Sequence, residues 1–215
     1  MPETFRAPVP YVPLPARVAV FLSGRGSNFE ALAEGCRTGE VPAEIVAVVS
    51  DRPAAPGLEA ARRLGLDAVA VDRKLFPSRV AQEEALAEVV RGRGADMICL
   101  AGFMRILSPS FVDRFRLRIL NIHPSLLPAF PGKEAQAQAL AYGVKVTGVT
   151  VHFVDSEMDS GPVVAQEAMP VETGDDTASL SSRLLRLEHR LYCASLRKVL
   201  EGGWMLTDRS VFFPD

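Results

Sequence analysis

The sequence predicts an α/β fold, a Rossmann-like doubly wound and mostly parallel sheet with some antiparallel pairing in its C-terminal half. Three observations predict it. Short unbroken runs of Val, Ile, Leu and Ala recur from residue 18 onward, and such runs are strands buried on both faces. Segments of helical length separate them, supplying the crossovers that parallel strands need. After residue 146 the runs begin to alternate apolar with polar residues, a pattern that suits strands with one exposed face.

Residues 1–15 are rich in proline and are expected to form a weakly ordered extension, because proline lacks the N–H that regular structure uses. A single domain is expected over 16–215, since 215 residues at 48% hydrophobic and 23% charged composition give material for one good-sized core. The elements run in order as strand 18–22 and helix 28–36, strand 45–49 and helix 57–64, strand 68–71 and helix 79–92, then strand 97–100. The run Arg118, Ile119 and Leu120 feeds another strand, whose exit Pro124 and Pro128 are expected to hold extended. Residues 146–154 read as a half-exposed strand and 163–171 as a second. A long helix follows over 177–200, with Asp175, Asp176 and Thr177 as capping candidates and Gly202-Gly203 as its stop. Residues 204–213 read as a hairpin around Asp208 and Arg209.

A formal net charge of −2 offers no footprint for nucleic acid or an anionic membrane. No apolar span reaches the ~20 residues of a membrane helix and no export signal is visible, so a cytoplasmic location is expected. Three scattered cysteines, Cys36, Cys99 and Cys193, without a CxxC pair fit a reducing compartment. Only His123, His152 and His189 carry imidazoles, and none has zinc-ligand spacing to a cysteine or histidine, so no metal is expected. The expected partners are small molecules, and the chain is expected to be a monomer or a homodimer.

Asn121 and His123 carry the strongest chemical signal. Two positions apart on an extended chain, they point to the same side roughly 6–7 Å from each other at about 3.3 Å per residue. A carboxamide donor and a titratable ring aimed at one atom suit acyl transfer, where charge grows on a carbonyl oxygen and a proton must move. The acidic loop from Asp155 to Gly161 could return a carboxylate to that ring and favour its protonated form, with Asp159, next to the turn residues Ser160, Gly161 and Pro162, the best placed. Ser23-Gly24-Arg25-Gly26-Ser27-Asn28 follows the first strand and opens a helix, an arrangement that presents N–H groups to a phosphate and serves equally as a plain glycine turn with a helix cap. Phe29 stands where the dinucleotide fingerprint needs glycine, which favours a phosphomonoester. Gly102 to Leu107 closes the fourth strand at the sheet edge where ligands bind; Phe103 and Met104 could hold a flat heterocycle or belong to the core.

Together, Gly26-Ser27-Asn28, Gly102-Phe103-Met104-Arg105-Ile106-Leu107-Ser108-Pro109, Asn121-Ile122-His123-Pro124-Ser125-Leu126-Leu127-Pro128, His152-Phe153-Val154 and the Asp159 loop resemble the phosphoribosylglycinamide formyltransferases, folate-dependent enzymes of purine synthesis. The resemblance spans about residues 17–200. It implies transfer of the formyl group of 10-formyltetrahydrofolate, a co-substrate, to the amine of 5'-phosphoribosylglycinamide, giving formylglycinamide ribonucleotide and tetrahydrofolate. The residues it implies are Asn121, His123 and Asp159 for catalysis; Gly26, Ser27, Asn28 and Glu188 for phosphate and ribose; and Arg79, Met104, Arg105, Ile106, Leu107 and Asn121 for folate. It reads His152 and His189 as supporting residues. Lys133-Glu134-Ala135-Gln136 departs from the histidine-containing segment common in that family, which puts substrate contacts there in doubt. Two alternatives remain: hydrolysis of the formyl folate, and a catalytically silent folate- or nucleotide-binding module.

Overall fold

The computed structural model describes residues 4–214. Ten strands form one sheet: β1 (Thr4–Arg6), β2 (Ala16–Leu22), β3 (Ala43–Ser50), β4 (Ala68–Ala70), β5 (Met97–Leu100), β6 (Ile119–His123), β7 (Val146–Phe153), β8 (Val163–Pro170), β9 (Met205–Thr207) and β10 (Ser210–Phe212). Across the sheet the order is β1-β9-β10-β8-β7-β6-β5-β2-β3-β4. Strands β2 to β6 pair in parallel, and β7 is antiparallel to both β6 and β8. Six helices connect or cover them: α1 (Ser27–Thr38), α2 (Pro56–Arg63), α3 (Arg79–Gly92), α4 (Pro109–Arg114), α5 (Ala135–Tyr142) and α6 (Thr177–Glu201).

Period-two alternation splits each central strand between two cores. Val18, Val20 and Leu22 of β2 join the larger core, which also holds Phe29, Leu58, Leu184 and Leu196 from α1, α2 and α6. Ala19 and Phe21, on the opposite face, join Leu86, Val90 and Phe111 from α3 and α4. Phe21 is fully buried; burying such a side chain contributes about 1.5–3 kcal/mol. Helix α6 opens on a reciprocal cap in which Asp176 accepts the Ser179 N–H at 2.7 Å, while the Ser179 hydroxyl accepts from the Asp176 N–H at 3.0 Å. At its centre the buried Tyr192 hydroxyl sits 3.1 Å from the Leu100 carbonyl and 3.0 Å from that of Leu120, fastening the ends of β5 and β6 to the helix.

Three expectations are corrected. The proline-rich start is not loose where it is described. Thr4–Arg6 pairs with β9, the N–H groups of Ala7 and Tyr11 bond to the carbonyls of Trp204 and Leu200, and Tyr11 and Phe5 pack on the buried Trp204 ring at 4.9 and 5.4 Å between centroids. Strand β7 is not half-exposed. It lies between two strands, and its polar residues Thr150 and His152 are buried, Thr150 satisfying the Ser125 carbonyl and the Leu127 N–H. The third correction concerns the exit beyond His123, which is a chain of bends rather than an extended segment, with the Ser125 hydroxyl bonded to the Ala129 carbonyl at 2.5 Å. Among the described residues no helix is long and apolar enough to cross a membrane.

Candidate active site

Strand β6 carries Asn121 and His123 two residues apart, and β7 lies beside it with His152 opposite Asn121. Asp159 arrives from the β7–β8 connection. Its backbone takes φ 51°, and the neighbouring Gly161 lies so close to Phe153 that a Cβ there would sit 1.8 Å from the Phe153 carbonyl oxygen. Only glycine fits that approach, and it folds the acidic loop back onto the strand edge. The Asp159 carboxylate ends with Oδ2 3.5 Å from Nδ1 of His123 and Oδ1 3.9 Å from Nε2 of His152. The Gly132 N–H donates to Oδ2 at 2.7 Å.

Hydrogen-bond logic assigns the protons. Nε2 of His123 lies 2.9 Å from the Phe130 carbonyl, which only accepts, so that nitrogen carries a hydrogen. Nδ1 of His152 donates in the same way to the Phe153 carbonyl at 2.8 Å. Burial holds the His152 ring below the usual histidine range and keeps it neutral, the Phe153 carbonyl and Asp159 opposing only in part. Its Nε2 is then an acceptor and faces the Asn121 amide nitrogen at 3.1 Å. The amide orientation of Asn121 is thereby set, with one N–H held by His152 and the other left to donate. Asn121, His123 and Asp159 are thus brought together, and His152 links two of them.

The turn after β2 lies one strand further along the sheet than β5, which neighbours β6. Gly26 caps α1 with φ 85°, and a Cβ there would meet the Gly57 backbone at 3.0 Å and the Leu22 side chain at 3.2 Å. Ser27 is the first helical residue. Asn28 does not face outward as a free donor: its amide nitrogen bonds Glu188 Oε2 of α6 at 2.6 Å, across 160 residues, and its buried oxygen has no partner. Burial pushes the Glu188 carboxyl above the usual carboxylate range; the Asn28 amide and the charge of His123 pull it back.

Gly102 to Leu107 lies beyond β5 as expected. Met104 and Ile106 are exposed, 54% and 58%, whereas Leu107 is buried and Phe103 packs edge-on against Phe21 at 5.4 Å. Ser23, Asp51 and Glu83 hold this segment. The Ser23 hydroxyl donates to the buried Asp51 at 2.5 Å and accepts the Met104 N–H at 2.9 Å. Glu83 accepts the N–H and the hydroxyl of Ser108, which caps α4. Among the described residues, Arg79, at the start of α3, is linked to the segment through Glu83, 3.7 Å from its Nε.

Other predicted features fall outside this arrangement. His189 is half-buried on α6 with Nε2 unpartnered, and burial lowers its pKa. Glu134 caps α5 at φ 58°, and Gln138 bonds the carbonyls of Pro131 and Lys133, so the 133–136 segment is occupied with its own loop. Burial pushes the Cys36 thiol up to about 12 and that of Cys193 to about 11, as befits packed side chains. Two surface cavities have volumes of about 250 and 410 Å3, neither lined by Asn121, His123 or Asp159, the second lined by Leu126, Tyr142 and Phe130. No group of three or more His, Cys, Asp or Glu side chains suited to a metal occurs among the described residues.

Residues 16–196 match the family model described as formyl transferase. The human trifunctional purine biosynthetic protein adenosine-3 is 46% identical over 187 residues, 87% of this chain, which spans only 18% of that protein's length. The phosphoribosylglycinamide formyltransferase of Bacillus subtilis is 39% identical over 184 residues, covering 86% of this chain and 94% of its own. The crystal structure of glycinamide ribonucleotide transformylase 1 from Symbiobacterium toebii superposes with a TM-score of 0.91 at 48% identity, covering 93% of this chain and 94% of that one.

Proposed function

The chain belongs to the formyl transferase family, and from that premise we propose that it moves the formyl group of 10-formyltetrahydrofolate to the amine of 5'-phosphoribosylglycinamide. The products are formylglycinamide ribonucleotide and tetrahydrofolate, in the cytoplasm. The amine nitrogen attacks the formyl carbon, the bond from that carbon to the folate nitrogen breaks, and one proton passes from the attacking nitrogen to the departing one. Between these events the carbonyl oxygen carries a negative charge. Asn121 donates to it through the N–H that His152 leaves free, and His123 donates from Nε2 after exchanging the Phe130 carbonyl for the oxyanion. A well-aimed donor of this kind is worth about 2.7–4 kcal/mol. Asp159 orients the ring and stabilises the positive charge that it carries in the transition state.

The substrates are assigned to the two flanks of this trio. The turn at Gly26, Ser27 and Asn28 takes the phosphate, where α1 presents unpaired N–H groups, and Glu188 takes the ribose. Met104, Arg105, Ile106 and Leu107 receive the pterin, with Asn121 at its edge, and Arg79 contacts the folate. The steps use only protein side chains and the two substrates.

The observation that carries this reading is that Asp159, from a loop 36 residues beyond His123 in sequence, lies 3.5 Å from the His123 ring and 3.9 Å from that of His152, which in turn bonds the Asn121 amide at 3.1 Å. Incubating the purified chain with 10-formyltetrahydrofolate tests it, with and without the ribonucleotide amine. Formyl transfer dependent on the amine is expected; equal formate release with and without the amine would establish the hydrolase, and no turnover in either would establish a binding module.

A further inference from the structure

Glu83 stands apart from the trio, yet it touches Arg79 and Ser108, the residue that follows the 104–107 segment assigned to the folate. It lies in the second turn of α3 with a side chain only 7% exposed. Its Oε1 accepts the Ser108 N–H at 2.9 Å and lies 3.7 Å from Nε of Arg79; its Oε2 accepts the Ser108 hydroxyl. Ser108 closes the segment that Met104 opens, and Met104 is itself pinned to Ser23. The segment is therefore fixed at both ends while Met104 and Ile106 between them face outward. Gln82 anchors the same turn of α3 by donating to the Val71 carbonyl at 2.9 Å, so the helix cannot drift from the strand layer.

Burying a carboxylate is costly unless it is paired and hydrogen-bonded. At Glu83 three groups meet that need, and two of them belong to Ser108. The third is the half-exposed Arg79, which makes no other ion pair among the described residues. Without Glu83, no carboxylate among the described residues would lie within ion-pair reach of that long side chain.

We infer that Glu83 is a positioning residue for the folate: its buried carboxylate holds the Arg79 guanidinium and the backbone of residues 104–107 in one fixed relation. The claim rests on the folate assignment made above. It implies a division of labour, in which Glu83 governs folate affinity and leaves the amine substrate and the chemical step alone.

Glu83→Gln keeps the shape and can still accept from Ser108, but it loses the charge that holds Arg79. Binding is read by calorimetry with 5-formyltetrahydrofolate, and turnover with both substrates. Glu83→Gln and Arg79→Ala are each expected to weaken folate binding about tenfold, and Glu83→Gln to leave kcat and the KM of the amine within about twofold of the parent. The double variant is expected to bind no worse than the weaker single, because both changes remove one interaction. Additive losses, an equal rise in the KM values of both substrates, or unchanged folate affinity in the folded variant would overturn it. If Glu83→Gln does not fold, Glu83→Asp, which keeps the charge but draws it back by one methylene, is expected to give the same selective loss. A parent chain that binds folate but does not formylate the amine would end the proposed activity and leave this claim to be judged on binding alone. No folate binding by the parent ends both.

Discussion

Asp159→Asn separates charge from shape at the centre of the site. The carboxylate oxygen Oδ2 sits 3.5 Å from His123 Nδ1, and the Asp159 side chain is 12% exposed. At an effective dielectric of ~20, a unit charge at that distance interacts with a cationic ring by about 5 kcal/mol. Part of this is already offset, because the same oxygen also receives the Gly132 N–H. The asparagine oxygen can keep the Gly132 bond, and its amide then faces Nε2 of His152, now competing with Asn121 for that acceptor. The fold is therefore expected to survive while the transition state loses the charge behind its imidazole and the fixed aim of its carboxamide. We expect kcat to fall about 10^2 to 10^3-fold with both KM values within about threefold. Steady-state turnover followed by the absorbance of the reduced folate product checks it, alongside circular dichroism. A folded variant with kcat within about twofold of the parent would falsify the role given to Asp159.

If His152 acts through Asn121, His152→Phe should lower kcat about 10 to 100-fold, and adding Asn121→Ala should lower it no further than Asn121→Ala alone; full additivity would show that the two act separately. Glu188→Gln should raise Tm at pH 7 while weakening binding of the ribonucleotide amine about tenfold. The sign follows from burial, which raises the Glu188 pKa: the folded chain holds that proton more tightly than the unfolded chain, so stability drops as pH climbs through this window. The gain in Tm should vanish below about pH 4, where the unfolded carboxyl is protonated too, and a gain that persists there would contradict it. Trp204→Ala should cost about 3–5 kcal/mol by urea unfolding, because the ring is fully buried among Phe5, Tyr11 and Phe153; a loss under about 1 kcal/mol would mean that the N-terminal segment is not docked on it.

The parallel half of the sheet was legible because β2 to β5 each carry a continuous apolar run, and the helix at 79–92 was read to the residue. The side-by-side placement of Asn121 and His123 followed from strand geometry alone. What stayed hidden depends on partners distant in sequence. Helix α5 mixes alanine and glutamine with little difference between its faces, and α4 is only six residues long, although Ser108-Pro109 before it is an N-cap signal. Proline content suggested a loose N-terminal segment, yet the non-proline N–H groups of Ala7 and Tyr11 and two aromatic rings are enough to fasten it. The polar residues of β7 read as exposed because nothing local reveals that the bends after His123 bring the Ser125 carbonyl and the Leu127 N–H to Thr150. Asp51 and Glu83 carry no motif, Ser23 stood out only as the start of the glycine turn, and their importance lies in bonds spanning 25 to 81 residues.

A ten-stranded sheet normally presents two long borders on which a neighbouring chain could nucleate further strands. Here each border is a strand of just three residues, β4 on one side and β1 on the other. At the β1 border the side chains of Thr4, Phe5 and Arg6 are all exposed, a polar residue to either side of the aromatic ring. Among the described residues the proline-rich segment thus closes the sheet with a short, solvated strand that offers little to template fibrous growth.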